Sequence, residues 1–368
     1  MRIAKALLVL LVAAAATFTT SASAQVGREE LWVAQQDTDA IAVIRHGRVR
    51  DRIPLPKGTG PHSIDVSPSG AFAYVSGVGN GDLHVVDTKS RKIVTTLDLG
   101  DKGTHQARPT PDGRRILVAQ MQSKQVIALV ASEAGRRWTK EGALTLEKEP
   151  ICTAYADGGR RAYVSTKPDG IAVVDTTTMT VTKELPTDGA VQCGLAELAD
   201  SRTIYVSSNG GTGHLYRLDP GTDELADAGL SLDAKDLHGL ALSPEGDSAY
   251  LSARESDALK VVPLGGGAIR TVSLDRRPNE VDKPDQVRLS GETVAVSMRT
   301  TGEVALVDRR TLAVRYVPVA PASANAVHGI AAVSAAAPSL PRTGGGGTWA
   351  AVVAMAAAMA VRRRLANG

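Results

Sequence analysis

GPHSIDVSPSGAFAYVSGVGNGDLHVVDTKSRKIVTTLDL, residues 60–99, is the stretch on which the reading of the whole chain turns. It alternates apolar and polar residues with the period of a half-buried strand, interrupted by turn signals, and has no helix-length amphipathic run. Four short strands fit it: one after His62, one through Tyr74-Val75-Ser76, one ending at Asp87, and one after Arg91. The SPSG turn ending at Gly70 suits a hairpin, because proline presets φ and glycine takes the left-handed position.

The unit recurs along the chain. Its second strand reappears as Leu31-Trp32-Val33, Leu117-Val118-Ala119, Tyr163-Val164-Ser165, Tyr205-Val206-Ser207, Tyr250-Leu251-Ser252 and Ala295-Val296-Ser297. The Pro-x-Gly turn recurs at Gly113 and Gly246, and the strand-closing aspartate at Asp175, Asp219 and Asp308. Those aspartates, with Asp87, are read as acceptors for turn backbone rather than as acids or bases. The residue that opens each short strand falls at His62, His105, Ile151, Cys193, His238, Asp285 and His328, with spacings of 43, 46, 42, 45, 47 and 43. Four strands per period of about 45 residues is the spacing of a propeller blade. The first unit lacks its short strand, and the chain supplies a spare one at residues 327–332. The expected fold is therefore an all-β seven-bladed propeller with four-stranded antiparallel blades, the C-terminal strand completing blade 1 and leaving no open edge. Repeat three carries the insertion SEAGRRWTKEGALTL and repeat six has Pro263-Leu264-Gly265 in place of the aspartate, so irregular outer edges are expected in those two blades.

The repeat, with GPHSIDVSPSG leading into YVS and then VVDT, resembles the YVTN-type (YncE-like) seven-bladed propeller family of secreted and surface proteins, over residues 29–333. Composition agrees with a folded, exported body. At 43% hydrophobic the chain has enough apolar residues for a large core, and 22% charge excludes a polytopic membrane protein. Its formal charge of +3 comes from the two ends. Arg2, Lys5 and Arg362 to Arg364 account for five of the 42 bases, so 37 remain against 39 acids, and a nucleic-acid partner is not expected.

Both ends read as processing signals. Arg2 and Lys5 precede an apolar run from Ala6 to Ala16, about 16 Å of helix and too short for a bilayer core of about 30 Å. Ala22-Ser23-Ala24 follows, so residues 1–24 are expected to be a signal peptide cleaved before Gln25. After the propeller (25–333) and a short spacer come Leu340-Pro341-Arg342-Thr343-Gly344, the apolar segment Trp349 to Val361, and a basic tail. This order resembles the LPxTG cell-wall sorting signal of Gram-positive surface proteins. The resemblance implies transient membrane contact through Trp349 to Val361 and cleavage by sortase after Thr343. It also implies covalent transfer of Thr343 to peptidoglycan, with residues 344–368 removed.

No phosphate loop, CxxCH, HExxH or GxSxG sequence occurs in the chain. The chemistry-bearing pattern is the ring of strand-opening residues. His238, Asp285, His328, His62 and His105 are consecutive around it, and imidazoles with a carboxylate suit copper, zinc, nickel or iron. A copper site built on such histidines occurs in the similar propeller of nitrous-oxide reductase. The other reading is structural, each histidine bonding a neighbouring blade's backbone. Cys152 and Cys193 lie in adjacent innermost strands. Export favours a disulfide between them, whereas their one-residue offset in the repeat turns the side chains to different faces. The leading functional expectation is a non-enzymatic binding module with its ligand or partner at a mouth of the channel. The alternative is a propeller enzyme of lactonase or metal- or quinone-dependent oxidoreductase type; the histidine-rich ring does not match the acidic set of the lactonases. Fold alone does not decide between them.

The sorting signal yields one test. Thr343→Ala is expected to move the protein from the peptidoglycan fraction to membrane or medium while export continues; wall linkage unchanged in fractionated cells would leave the C-terminus an ordinary tail.

Overall fold

In the computed structural model, residues 29–100, 102–198 and 202–334 are described, and the leader, the sorting sequence and the apolar segment read above lie outside them. Within these residues the alternating segments form seven four-stranded antiparallel sheets. Blade 2 is representative: Pro61–Val66, Phe72–Gly77, Asp82–Asp87 and Lys92–Asp98 follow one another outward, joined by tight turns. The innermost strands of successive blades touch all the way round, which makes the arrangement a closed ring about a channel.

Closure is made by Ile330–Ser334, slightly later than the stretch read from sequence. It pairs antiparallel with Glu29–Gln35, setting Ile330 opposite Val33, Ala331 opposite Trp32 and Val333 opposite Glu30. Without it the first strand of blade 1 would present a row of unpaired backbone groups. The core lies between blades rather than within them. Trp32, Ala34, Ile41 and Ile53 of blade 1 pack on Ile64, Ala73, Val75 and Val86 of blade 2, and each later pair of blades repeats this sandwich. Two β-sheets stacked face to face bury their inner faces in this way because every strand alternates sides.

The repeated serine of the second strand joins one blade to the next. Ser76 accepts from the amide of Ser63 in its own blade and donates to the carbonyl of His105 in the following one, at 2.7 Å. Ser252 does the same between Gly239 and the Asp285 carbonyl. Ser165 does so between Cys152 and the Gln192 carbonyl. The strand-closing aspartates do accept from turn amides: Asp87 from Ser90, Asp175 from Thr177 and Thr178, Asp219 from Gly221, and Asp308 from Arg310 and Thr311.

Blade 3 keeps a fully paired outer edge around its insertion, with a register shift between Ala128 and Leu129. The inserted residues lengthen its outer hairpin to Gln125–Ser132 and Arg137–Thr145, and Trp138 swings onto Tyr74 of blade 2, ring edge to ring face at 5.5 Å. An apolar side chain had somewhere dry to go, so the extra chain stayed ordered. Blade 6 has a shortened outer strand of four residues, Arg270–Ser273, after the turn at Pro263. The irregularity not anticipated is in blade 5, whose innermost strand is only Leu195–Glu197.

Deleting residues 326–333 is expected to abolish cooperative melting at the parent temperature, because blade 1 loses its inner strand and the ring its seam. A truncated protein whose circular dichroism melts at the parent temperature would mean that the ring closes elsewhere.

Candidate functional site at the channel mouth

Each innermost strand begins at the same end of the channel, so residues scattered from 62 to 328 converge there. His62, His105, His238, Asp285 and His328 are all buried, Asp285 completely. The ring centroids of His62 and His328 are 3.5 Å apart with the rings tilted by 31°, those of His62 and His105 are 4.4 Å apart, and those of His238 and His328 are 5.7 Å apart. Ile151 and Cys193, which complete the seven, lie on the side where the histidines stop.

The five do not act as one set. Asp285 is the hub. His238 Nε2 lies 2.9 Å from its Oδ1 and His328 Nε2 lies 3.1 Å from its Oδ2, so the carboxylate sits between the two imidazoles. His62 Nε2, His238 Nδ1 and His328 Nδ1 are buried without a hydrogen-bond partner. One donor atom from each of His238, Asp285 and His328 fits within a 4.8 Å group. His62 is tethered through Nδ1 to Gln36 Oε1 at 3.2 Å. His105 donates from Nδ1 to the Ile151 carbonyl of the next blade at 2.9 Å. That bond ties blade to blade and leaves Nε2 for another role, but His105 falls outside the group that His238, Asp285 and His328 form. A shared-ligation geometry remains for His238, Asp285 and His328, with His62 beside them.

Two residues the sequence reading missed complete the electrostatics. Arg254 Nη2 bonds Asp285 Oδ2 at 2.7 Å, and Arg299 Nη1 stands 3.8 Å from the same oxygen. Both follow a strand serine by two residues, Ser252 and Ser297, and Gln36 holds the equivalent place in blade 1 after Ala34. Aligning that position across the repeats would have found them. Burial alone would push Asp285 up, but the Arg254 guanidinium beside it holds its carboxyl well below the usual range. Burial pushes His62, His238 and His328 down from 6.5, and His105 down to about 3. The imidazoles are therefore neutral at physiological pH, with lone pairs free to ligate.

Cys152 and Cys193 form a disulfide, with Cα atoms 5.2 Å apart. The one-residue offset that argued against it is overturned by blade 5. Its irregular entry makes Gln192, not Cys193, the carbonyl that accepts the serine bond, so Cys193 stands one place past the opening residue, as Cys152 does after Ile151. The bridge spans 41 residues and staples blade 4 to blade 5 where the inner strand is shortest, worth up to about 4 kcal/mol on a chain-entropy account. It also withdraws both sulfurs from metal chemistry, although they lie close to His105.

No protein-family model matches the chain, and no curated protein matches it. Solved structures do. Hydrazine synthase from Kuenenia stuttgartiensis is similar at 15% identity and a TM-score of 0.63, over 76% of this chain and 91% of that one. The dihydro-heme d1 dehydrogenase NirN, solved in complex with DHE, matches at 13% and 0.58 over 83% and 75%. The β-propeller domain of Cps50 (Swd1) from Myceliophteria thermophila matches at 13% and 0.55 over 70% and 85%. At these identities the likeness is one of fold, and it places the chain among seven-bladed β-propellers. Two of these neighbours are enzymes by title, so the architecture serves catalysis and other roles alike.

The buried imidazoles set a pH window. The unfolded chain protonates them near 6.5 while the folded chain leaves them neutral, so their contribution is complete above about pH 6.5 and is lost as pH falls below it. The melting temperature is expected to fall between about pH 7 and pH 5, and less steeply in the His238→Gln, His328→Gln double variant. Equal slopes in the two proteins would place the titrating groups elsewhere.

Proposed function

We propose that the protein is exported, sorted to a Gram-positive cell wall through Thr343, and works there as a binding propeller whose ligand sits at the His/Asp mouth. Sortase and peptidoglycan are its processing partners, and nucleic acid is not a partner. The ligand we favour is a transition-metal ion, zinc or copper, held by His238, Asp285 and His328. One observation carries this: a donor atom from each of His238, Asp285 and His328 falls within one 4.8 Å group, and imidazole nitrogens of His62, His238 and His328 are buried there without hydrogen-bond partners. Each such group costs about 1–3 kcal/mol if left so, and a metal would satisfy several at once. Arg254 and Arg299 beside the carboxylate add positive charge, so a dication there calls for an anion to complete its coordination.

Three protein ligands would leave coordination positions open, as catalytic zinc sites do, which keeps an enzymatic reading of the same mouth alive. A metal-loaded protein that turns over a lactone or a redox substrate would favour it over a purely binding role.

Purified protein incubated with zinc or copper and desalted is expected to retain about one ion per chain by elemental analysis. The His238→Gln, His328→Gln variant should retain none while melting cooperatively. Metal-free wild-type protein after the same treatment would overturn the metal reading.

A further inference from the structure

The opposite mouth carries a second polar cluster. Asp65, Arg108 and Arg288 stand three residues beyond the strand-opening residues His62, His105 and Asp285. In a regular strand such an offset would put each pair on opposite faces. Each of these inner strands instead has a register shift at its opening residue, between Pro61 and Ile64, Thr104 and Gln106, and Pro284 and Val287. A bulge there resets the alternation, so one strand lines the channel at both ends.

These residues, with Glu197, line a cavity of about 380 Å³ whose walls include Pro68 and Pro111. Arg108 Nη2 pairs with Glu197 Oε1 at 2.5 Å, and Tyr155 donates its hydroxyl to the Arg108 carbonyl at 2.8 Å. That leaves two complementary groups unspent. Glu197 Oε2 is buried without a donor. Arg288 gives only its Nε–H, to the Ile330 carbonyl at 3.3 Å, and both terminal nitrogens of its guanidinium lack a partner among the described residues. Asp65, nine-tenths buried, adds a second carboxylate to the same wall.

We infer that this cavity binds a free α-amino acid as its zwitterion, the ligand carboxylate on the Arg288 guanidinium and its ammonium toward Glu197 Oε2 and Asp65. A planar guanidinium with two free N–H edges matches a carboxylate bidentately, and a buried carboxylate oxygen without a donor calls for a cationic one. A simple anion would answer Arg288 but leave Glu197 as it stands; a simple cation would do the reverse. The volume lies near the lower end of small-molecule sites and suits a small side chain against the proline walls.

The test is calorimetric titration of the purified full-length protein with glycine, L-alanine and D-alanine, beside acetate and methylammonium. At least one zwitterion is expected to bind about tenfold or more tighter than either single-charge probe. Arg288→Gln and Glu197→Gln should each weaken that binding by at least about tenfold, with the His238→Gln, His328→Gln variant unaffected. Acetate binding as tightly as the zwitterions would reduce the cavity to an anion site and overturn the inference, as would no binding by any of the three amino acids. Should Arg288→Gln fail to fold, the comparison of zwitterion with acetate and methylammonium on the wild-type protein decides alone.

Discussion

Everything in this molecule rests on the pairing of Ile330–Ser334 with Glu29–Gln35. A propeller blade buries its faces only against its neighbours, so a ring of seven needs each blade flanked on both sides. The closing strand ties the two ends of the described chain into one sheet. It also sets His328, just ahead of it, against His62, a residue 266 positions away in sequence, because the Gly329 amide bonds the His62 carbonyl at 2.7 Å. The closure of the fold and the assembly of the candidate site are thus one event.

The serine that recurs in the second strand explains how the ring keeps its register. By accepting from its own blade and donating to the opening carbonyl of the next, it fixes the height at which each inner strand enters the channel. His105 and Asp285 are the site residues placed by that device. Where a blade departs, as blade 5 does with its three-residue inner strand, the acceptor shifts to Gln192 and a covalent bridge between Cys152 and Cys193 lies at the gap. Channel residues gain their chemistry from this enforced crowding: burial keeps the imidazoles neutral, and Arg254 keeps Asp285 ionised.

The two mouths differ in kind. At one, neutral imidazoles gather around a single carboxylate with a cationic flank. At the other, two arginines and two carboxylates share a cavity and are only partly paired with each other. Both line the same inner strands, which a bulge allows to face the channel at each end. A seven-fold scaffold can carry unlike sites at its two mouths because each blade contributes residues independently.

By itself the sequence determined the fold class, the number of blades, the closing strand and the convergence of His62, His105, His238, Asp285 and His328 at one end. These follow from strand period, turn chemistry and repeat spacing, all of which are local and recur seven times. Only the tertiary structure decided which of those residues share a site. His105 bonds the Ile151 carbonyl, a contact between residues 46 apart that no local pattern encodes, and lies outside the group of His238, Asp285 and His328. The disulfide was hidden because repeat counting assumes equal inner strands, and blade 5 is not equal. Arg254, Arg299 and the Asp65–Arg108–Glu197–Arg288 cluster were hidden for a related reason. Loop positions and bulged strands break the alternation on which sequence reading relies, and only the closed ring brings their side chains together.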